Sequence, residues 1–112
     1  MSGYRAIARV EQVRRNGSLA VEIDGLALLV CNADDVIHVI VNRCSHQDQP
    51  LAGGRIRNGF IFCPFHGMRY RLATGEGVGQ LTRLPIRVLA SRVVDGEVQA
   101  CLPADGALQP LT

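Results

Sequence analysis

Residues 44–70 read CSHQDQPLAGGRIRNGFIFCPFHGMRY. Within them, Cys44-Ser45-His46 and Cys63-Pro64-Phe65-His66 each join a thiol to an imidazole, and 16 residues (47–62) separate the pairs. In an extended segment residues i and i+2 point the same way, so Cys44 and His46 can reach one site together. Residues i and i+3 of a tight turn converge, and Pro64 in the second turn position pre-sets the backbone for Cys63 and His66. Gly67 lets the chain leave that turn at angles that a β-carbon resists. Gly53-Gly54, midway between the pairs, marks a turn or bulge where the connecting segment doubles back. Two loop tips, each with one sulfur and one nitrogen donor, can thus clamp a compact group from two sides.

A [2Fe–2S] centre with one iron held by Cys and the other by His takes that donor set. Two other readings stay open. A structural zinc site can also be Cys₂His₂, although its usual spacing groups cysteines with cysteines and histidines with histidines. A Cys44–Cys63 disulfide needs an oxidising compartment, and nothing in the sequence points to export. His38, inside the apolar run Val36-Ile37-His38-Val39-Ile40-Val41, and the cysteines at 31 and 101 have no partner at ligand spacing. They are expected to pack, as free cysteines commonly do.

The quoted string resembles the Rieske iron–sulfur family, whose pattern is C-x-H, a spacer of about this length, then C-P-x-H-G with an aromatic nearby. The likeness is sharpest over residues 43–76, ending in Leu72-Ala73-Thr74-Gly75-Glu76. It continues more weakly through Val39-Ile40-Val41-Asn42-Arg43 and Pro85-Ile86-Arg87-Val88. The resemblance implies one [2Fe–2S] cluster on Cys44, His46, Cys63 and His66. It also implies a cluster-binding subdomain of two loops, about 43–84, set on a small antiparallel β-sandwich or barrel built from the flanking portions.

Two ferric ions, two sulfides and two thiolates sum to zero charge when both histidines are neutral, whereas four thiolates give a dianion. Adding an electron to the neutral centre is easier, and Rieske potentials accordingly span about −150 to +300 mV. High-potential members of the family carry an extra disulfide between the loops and Ser and Tyr donors to the cluster sulfurs. Here the first loop reads Gln47-Asp48-Gln49, the second carries Phe65, and Met68 stands in place of the Ser. Tyr70 falls where ferredoxin-type members carry an aromatic. Fewer donors to the reduced sulfurs imply the low end of the range. The remote ring nitrogens of His46 and His66 should also make the potential fall at alkaline pH.

At 112 residues and 47% hydrophobic, the chain is expected to form one domain around a modest core, with no second catalytic domain. No apolar run approaches 18 residues, and Met1-Ser2-Gly3-Tyr4-Arg5 lacks a signal-peptide core, so a cytoplasmic protein with reduced thiols is expected. The fold class reads as all-β. Short alternating or apolar segments occur near 4–9, 19–24, 26–32, 36–42, 54–57, 60–62, 69–72, 86–93 and 97–101. Asn16-Gly17, Asp24-Gly25, Asn58-Gly59 and Asp95-Gly96 are turn signals, the second and fourth being those of tight hairpins. Residues 10–15 could form one helical turn, and 103–112 read as a loosely packed tail.

The resemblance implies a soluble low-potential ferredoxin, not itself an enzyme. It would carry single electrons from an NAD(P)H-dependent flavoprotein reductase to a terminal aromatic-ring hydroxylating oxygenase. The alternatives are a small subunit of an assimilatory nitrite reductase, which in many members lacks the ligands, and a zinc-stabilised interaction module. All twelve basic residues are arginine, and between 44 and 83 five of them (55, 57, 69, 71 and 83) meet two carboxylates, Asp48 and Glu76. That pattern reads as a solvated strand face, or as a docking rim for acidic partners. With net charge only +2 and few aromatics, nucleic acid is not an expected partner, and without an apolar run near 18 residues neither is a membrane. Gly75-Glu76-Gly77-Val78-Gly79-Gln80 replaces the proline-bearing cover loop common in the family and reads as a more mobile cover.

Overall fold

The computed structural model describes residues 3–43, 50–64, 68–78 and 85–102. The expected tail, 103–112, lies outside them. Among the described residues, eleven strands fall in three antiparallel sheets. The first sheet joins the two ends of the described chain: β1 (Tyr4–Arg9) pairs with β11 (Glu97–Cys101), which pairs with β10 (Ser91–Val94). A bulge at Ile7 interrupts β1 between the Ala6–Gln99 and Ala8–Val98 pairs. The second sheet runs β2 (Ser18–Ile23), β3 (Leu26–Ala33), β4 (Val36–Val41), β9 (Val88–Leu89). The third runs β5 (Ile56–Arg57), β6 (Phe60–Phe62), β7 (Arg69–Arg71), β8 (Gly77–Val78). The all-β expectation therefore holds.

The central strand β3 explains how the three sheets cohere. Successive side chains of a strand point to opposite faces. Leu28 and Val30 accordingly join Ile7, Val39, Leu89, Val98 and Ala100 in one buried cluster. Leu29, Cys31 and Ala33 join Ile40, Leu51, Ile61, Cys63, Met68, Tyr70 and Leu72 in another. The middle sheet is thus a wall shared by two cores, and all six residues from Leu28 to Ala33 are buried. Burial of each Leu or Ile here stabilises by about 1.5–3 kcal/mol, so β3 couples the third sheet to the rest of the fold.

Three turn dipeptides behave as their chemistry predicts. Asp24-Gly25, Asn58-Gly59 and Asp95-Gly96 all have positive φ at both residues and close the β2–β3, β5–β6 and β10–β11 hairpins. Asn16-Gly17 differs: it ends a turn in which the Gly17 N–H donates to the Arg14 carbonyl, and no hairpin forms there. The segment 86–93 is two strands, because the chain leaves the second sheet after Leu89 and enters the first at Ser91. Ala90 sits at that corner, its carbonyl accepting from the Cys101 N–H. The helical turn is a 3₁₀ turn over Val10–Gln12, with the Gln12 side chain accepting from the Arg9 N–H. Within the glycine-rich stretch 75–80, Gly77–Val78 is a strand paired with Arg69 and Tyr70, while 79–80 lie outside the described residues.

Candidate metal centre

Of the four expected ligands, the structure places Cys63; Cys44, His46 and His66 lie outside the described residues. What it shows of the other three is how their loops are held at the base.

The second loop is the connection between β6 and β7. Phe62 pairs with Arg69, and one step further the Cys63 N–H donates to the Met68 carbonyl at 2.7 Å. This bond closes the hairpin around Pro64 and positions 65–67. Cys63 is only 3% exposed and belongs to the same buried cluster as Met68, Tyr70 and Leu51. Met68 therefore faces the core, where its thioether gives no hydroxyl donor. Tyr70 is fully buried.

The first loop leaves β4 at Val41 and returns at Leu51. Its ends are tied by a residue outside the ligand motif. The side-chain carbonyl of Asn42 accepts the Leu51 N–H at 2.7 Å and the Ala52 N–H at 2.9 Å. Nothing in the spacing of the string singles Asn42 out for this role. Leu51 then enters the buried cluster that also holds Cys63, so the bases of the two loops rest on one core.

Gly53-Gly54 performs the expected reversal. The Gly54 N–H donates to the Leu51 carbonyl at 3.0 Å, with Gly53 at φ +89°, a conformation that side chains resist. A β-carbon on Gly54 would stand 2.1 Å from the Phe62 carbonyl oxygen, so only glycine lets this turn lie against β6.

The described surroundings fit an iron–sulfur group. A sulfur donor is buried at the root of a loop fixed by backbone bonds, with Leu51 and Met68 supplying a dry apolar shell of the kind that tunes such centres. The remaining candidates take no such position. Cys31 lies on the core side of β3, its thiol pushed up to about 12 by burial, so it stays neutral. His38 pairs with Cys31 across β3 and β4, and its pKa is lowered by partial burial. Cys101 is half-buried at the end of β11. No helix among the described residues is long and apolar enough to cross a membrane.

Comparison with known proteins agrees with this geometry. Residues 3–89 match the Rieske [2Fe-2S] domain. The chain is 23% identical over 93 residues to apoptosis-inducing factor 3 of Homo sapiens, covering 79% of this chain but only 15% of that protein. It is 29% identical over 72 residues to the anthranilate 1,2-dioxygenase ferredoxin subunit of Burkholderia cepacia, covering 64% of this chain and 67% of that one. Among solved structures, the ferredoxin of carbazole 1,9a-dioxygenase from Nocardioides aromaticivorans superposes with a TM-score of 0.82 at 26% identity. That match covers 89% of this chain and 98% of the other. With three-quarters of its length matching, this chain belongs to the family of Rieske domains, whose cofactor is one [2Fe–2S] cluster.

Proposed function

We propose that Cys44, His46, Cys63 and His66 hold that cluster, and that the chain is a low-potential ferredoxin. In this reading it passes single electrons from an NAD(P)H-dependent flavoprotein reductase to a terminal aromatic-ring hydroxylating oxygenase. The observation that carries it is the burial of Cys63 at the root of a closed hairpin, in the same cluster as Leu51 at the return of the first loop. The two loops bearing the mixed pairs are thus anchored on one core, as a shared four-ligand site requires. The ferredoxins of the anthranilate and carbazole dioxygenases, which it resembles, support the carrier role.

When bound, the cluster takes up and gives back one electron. The chain's own part is to hold the donors rigid, so that little reorganises on transfer, and to keep the sulfur side dry. Residues 43–84 act in this reading as the cluster-binding unit, with the first two sheets as its base. The buried methionine at 68 supplies no hydroxyl donor to the sulfurs, which supports the low end of the potential range.

Anaerobic purification followed by iron and acid-labile sulfide analysis tests the reading. About two irons and two sulfides per chain are expected, with the visible and EPR spectra of a mixed Cys/His [2Fe–2S] centre. A colourless, zinc-containing preparation that resists reconstitution would overturn it.

A further inference from the structure

The outward face of the third sheet gathers arginines around two phenylalanines. Strand register places Arg57, Phe60 and Arg71 in one row across β5, β6 and β7. Phe62, Arg69 and Val78 form the next row across β6, β7 and β8. Directly opposed residues share a face, so these six side chains stand together, with Ile56, Ile61 and Tyr70 turned inward. All three arginines are exposed, as is Arg55 just before β5, while Phe60 and Phe62 are half-buried.

Two further observations bear on what this face can bind. Elsewhere, Arg5 meets Asp24, Arg9 meets Glu11 and Arg15 meets Asp34 and Asp35, while Arg14, Arg87 and Arg92, scattered along the chain, have no ion-pair partner among the described residues. Here Arg71 reaches Glu76 at 3.6 Å, but Arg55, Arg57 and Arg69 have no ion-pair partner among the described residues. The guanidiniums of Arg69 and Arg71 also lie over the Phe60 ring, 5.3 and 4.7 Å from its centroid. A guanidinium resting on an aromatic ring is already oriented and loses less freedom when a carboxylate arrives.

We propose that this face, Arg55, Arg57, Phe60, Phe62, Arg69 and Arg71, docks a redox partner through a surface of clustered carboxylates. That the partner is a redox protein rests on the ferredoxin reading above; the chemistry of the face does not. Strand β6 runs from Phe60 through Phe62 directly into Cys63, so a partner seated here abuts the ligand loop. Bidentate guanidinium–carboxylate pairs supply orientation and the half-buried phenylalanines supply apolar contact. A nucleic acid fits less well. The whole chain carries only +2, and the Phe60 ring on which a base would stack is already taken by guanidiniums.

Binding of poly-L-glutamate to the purified holoprotein at low ionic strength tests the proposal. The Arg57→Glu/Arg69→Glu variant is expected to bind about tenfold more weakly. Arg5→Glu/Arg15→Glu, an equal change in net charge on other elements, is expected to bind as the unmodified protein does. Circular dichroism and thermal midpoints establish that both variants fold; should the first fail to fold, Arg55→Glu/Arg57→Glu replaces it. Equal weakening in both variants, no weakening in either, or tighter binding of duplex DNA than of poly-L-glutamate would each overturn it. The assay involves no electron transfer, so its outcome stands apart from the test of the cluster.

Discussion

Asn42 and Leu51 stand nine positions apart, yet the Asn42 side-chain carbonyl accepts the Leu51 N–H at 2.7 Å and shares itself with the neighbouring Ala52 N–H. One acceptor thus closes the base of the loop that bears Cys44 and His46. Replacing it by leucine removes both bonds and leaves two amide donors unpaired at a half-buried place. A loss of about 2 kcal/mol is expected, since each such bond contributes near 1 kcal/mol. Asn42→Asp keeps the acceptor and should stay close to the parent. Thermal midpoints of the two variants check this: equal midpoints would show that the clamp contributes nothing.

Gly53 and Gly54 are adjacent but demand glycine for different reasons, so their alanine variants should separate. At Gly53 the φ is +89° with open space where a methyl would stand, and alanine there should cost about 1 kcal/mol of backbone strain. At Gly54 the methyl would strike the Phe62 carbonyl at 2.1 Å, and the turn must move off β6. Gly54→Ala is expected to cost about 3 kcal/mol or more and to lower iron content. Denaturation midpoints and iron assays rank the pair, and a Gly53→Ala protein less stable than Gly54→Ala would contradict the close approach.

How much of this is legible in the sequence depends on how local the cause is. Asp24-Gly25 and Asp95-Gly96 announce hairpins because both residues of each tolerate positive φ on their own. Asp34-Asp35 closes the β3–β4 hairpin without glycine, at φ 50° and 71°. It does so because the Asn16 side chain accepts from the Asp34 N–H and the Asn32 side chain from the Asp35 N–H. The Asn16 bond reaches across 18 positions, beyond what a dipeptide can reveal. The break at Ala90 is likewise set by which sheet each half pairs with. At the site, the ligand spacing is visible in the string, but the Asn42 clamp exists only once the loop has returned.

Burial of Cys31 and His38 gives stability opposite dependences at the two ends of the pH scale. The Cys31 thiol is raised from 9.0 to about 12, so it is neutral in both folded and unfolded chains below pH 9. Between about 9 and 12 only the unfolded chain ionises, and stability falls as pH rises through that window. His38 is lowered by partial burial, so its contribution is present above its ordinary 6.5 and is lost as pH falls. Thermal midpoints across pH should show a shallower alkaline limb in Cys31→Ala and a shallower acid limb in His38→Gln. Unchanged limbs in both would refute the burial argument.

Removing one sulfur donor separates a ligand from a packed thiol. Cys63 and Cys31 occupy the same buried cluster, so serine at either position puts a hydroxyl into a similar apolar setting and should destabilise by similar amounts. They differ in where their chain segments lie. Cys63 roots the β6–β7 hairpin, while Cys31 is mid-strand in β3, opposite His38. If Cys63 holds iron, Cys63→Ser should lose the visible absorbance and most of its iron, whereas Cys31→Ser keeps both in whatever fraction remains folded. Iron per folded chain, measured after gel filtration, is the deciding quantity. Equal iron in the two variants would mean that the sulfur at 63 only packs.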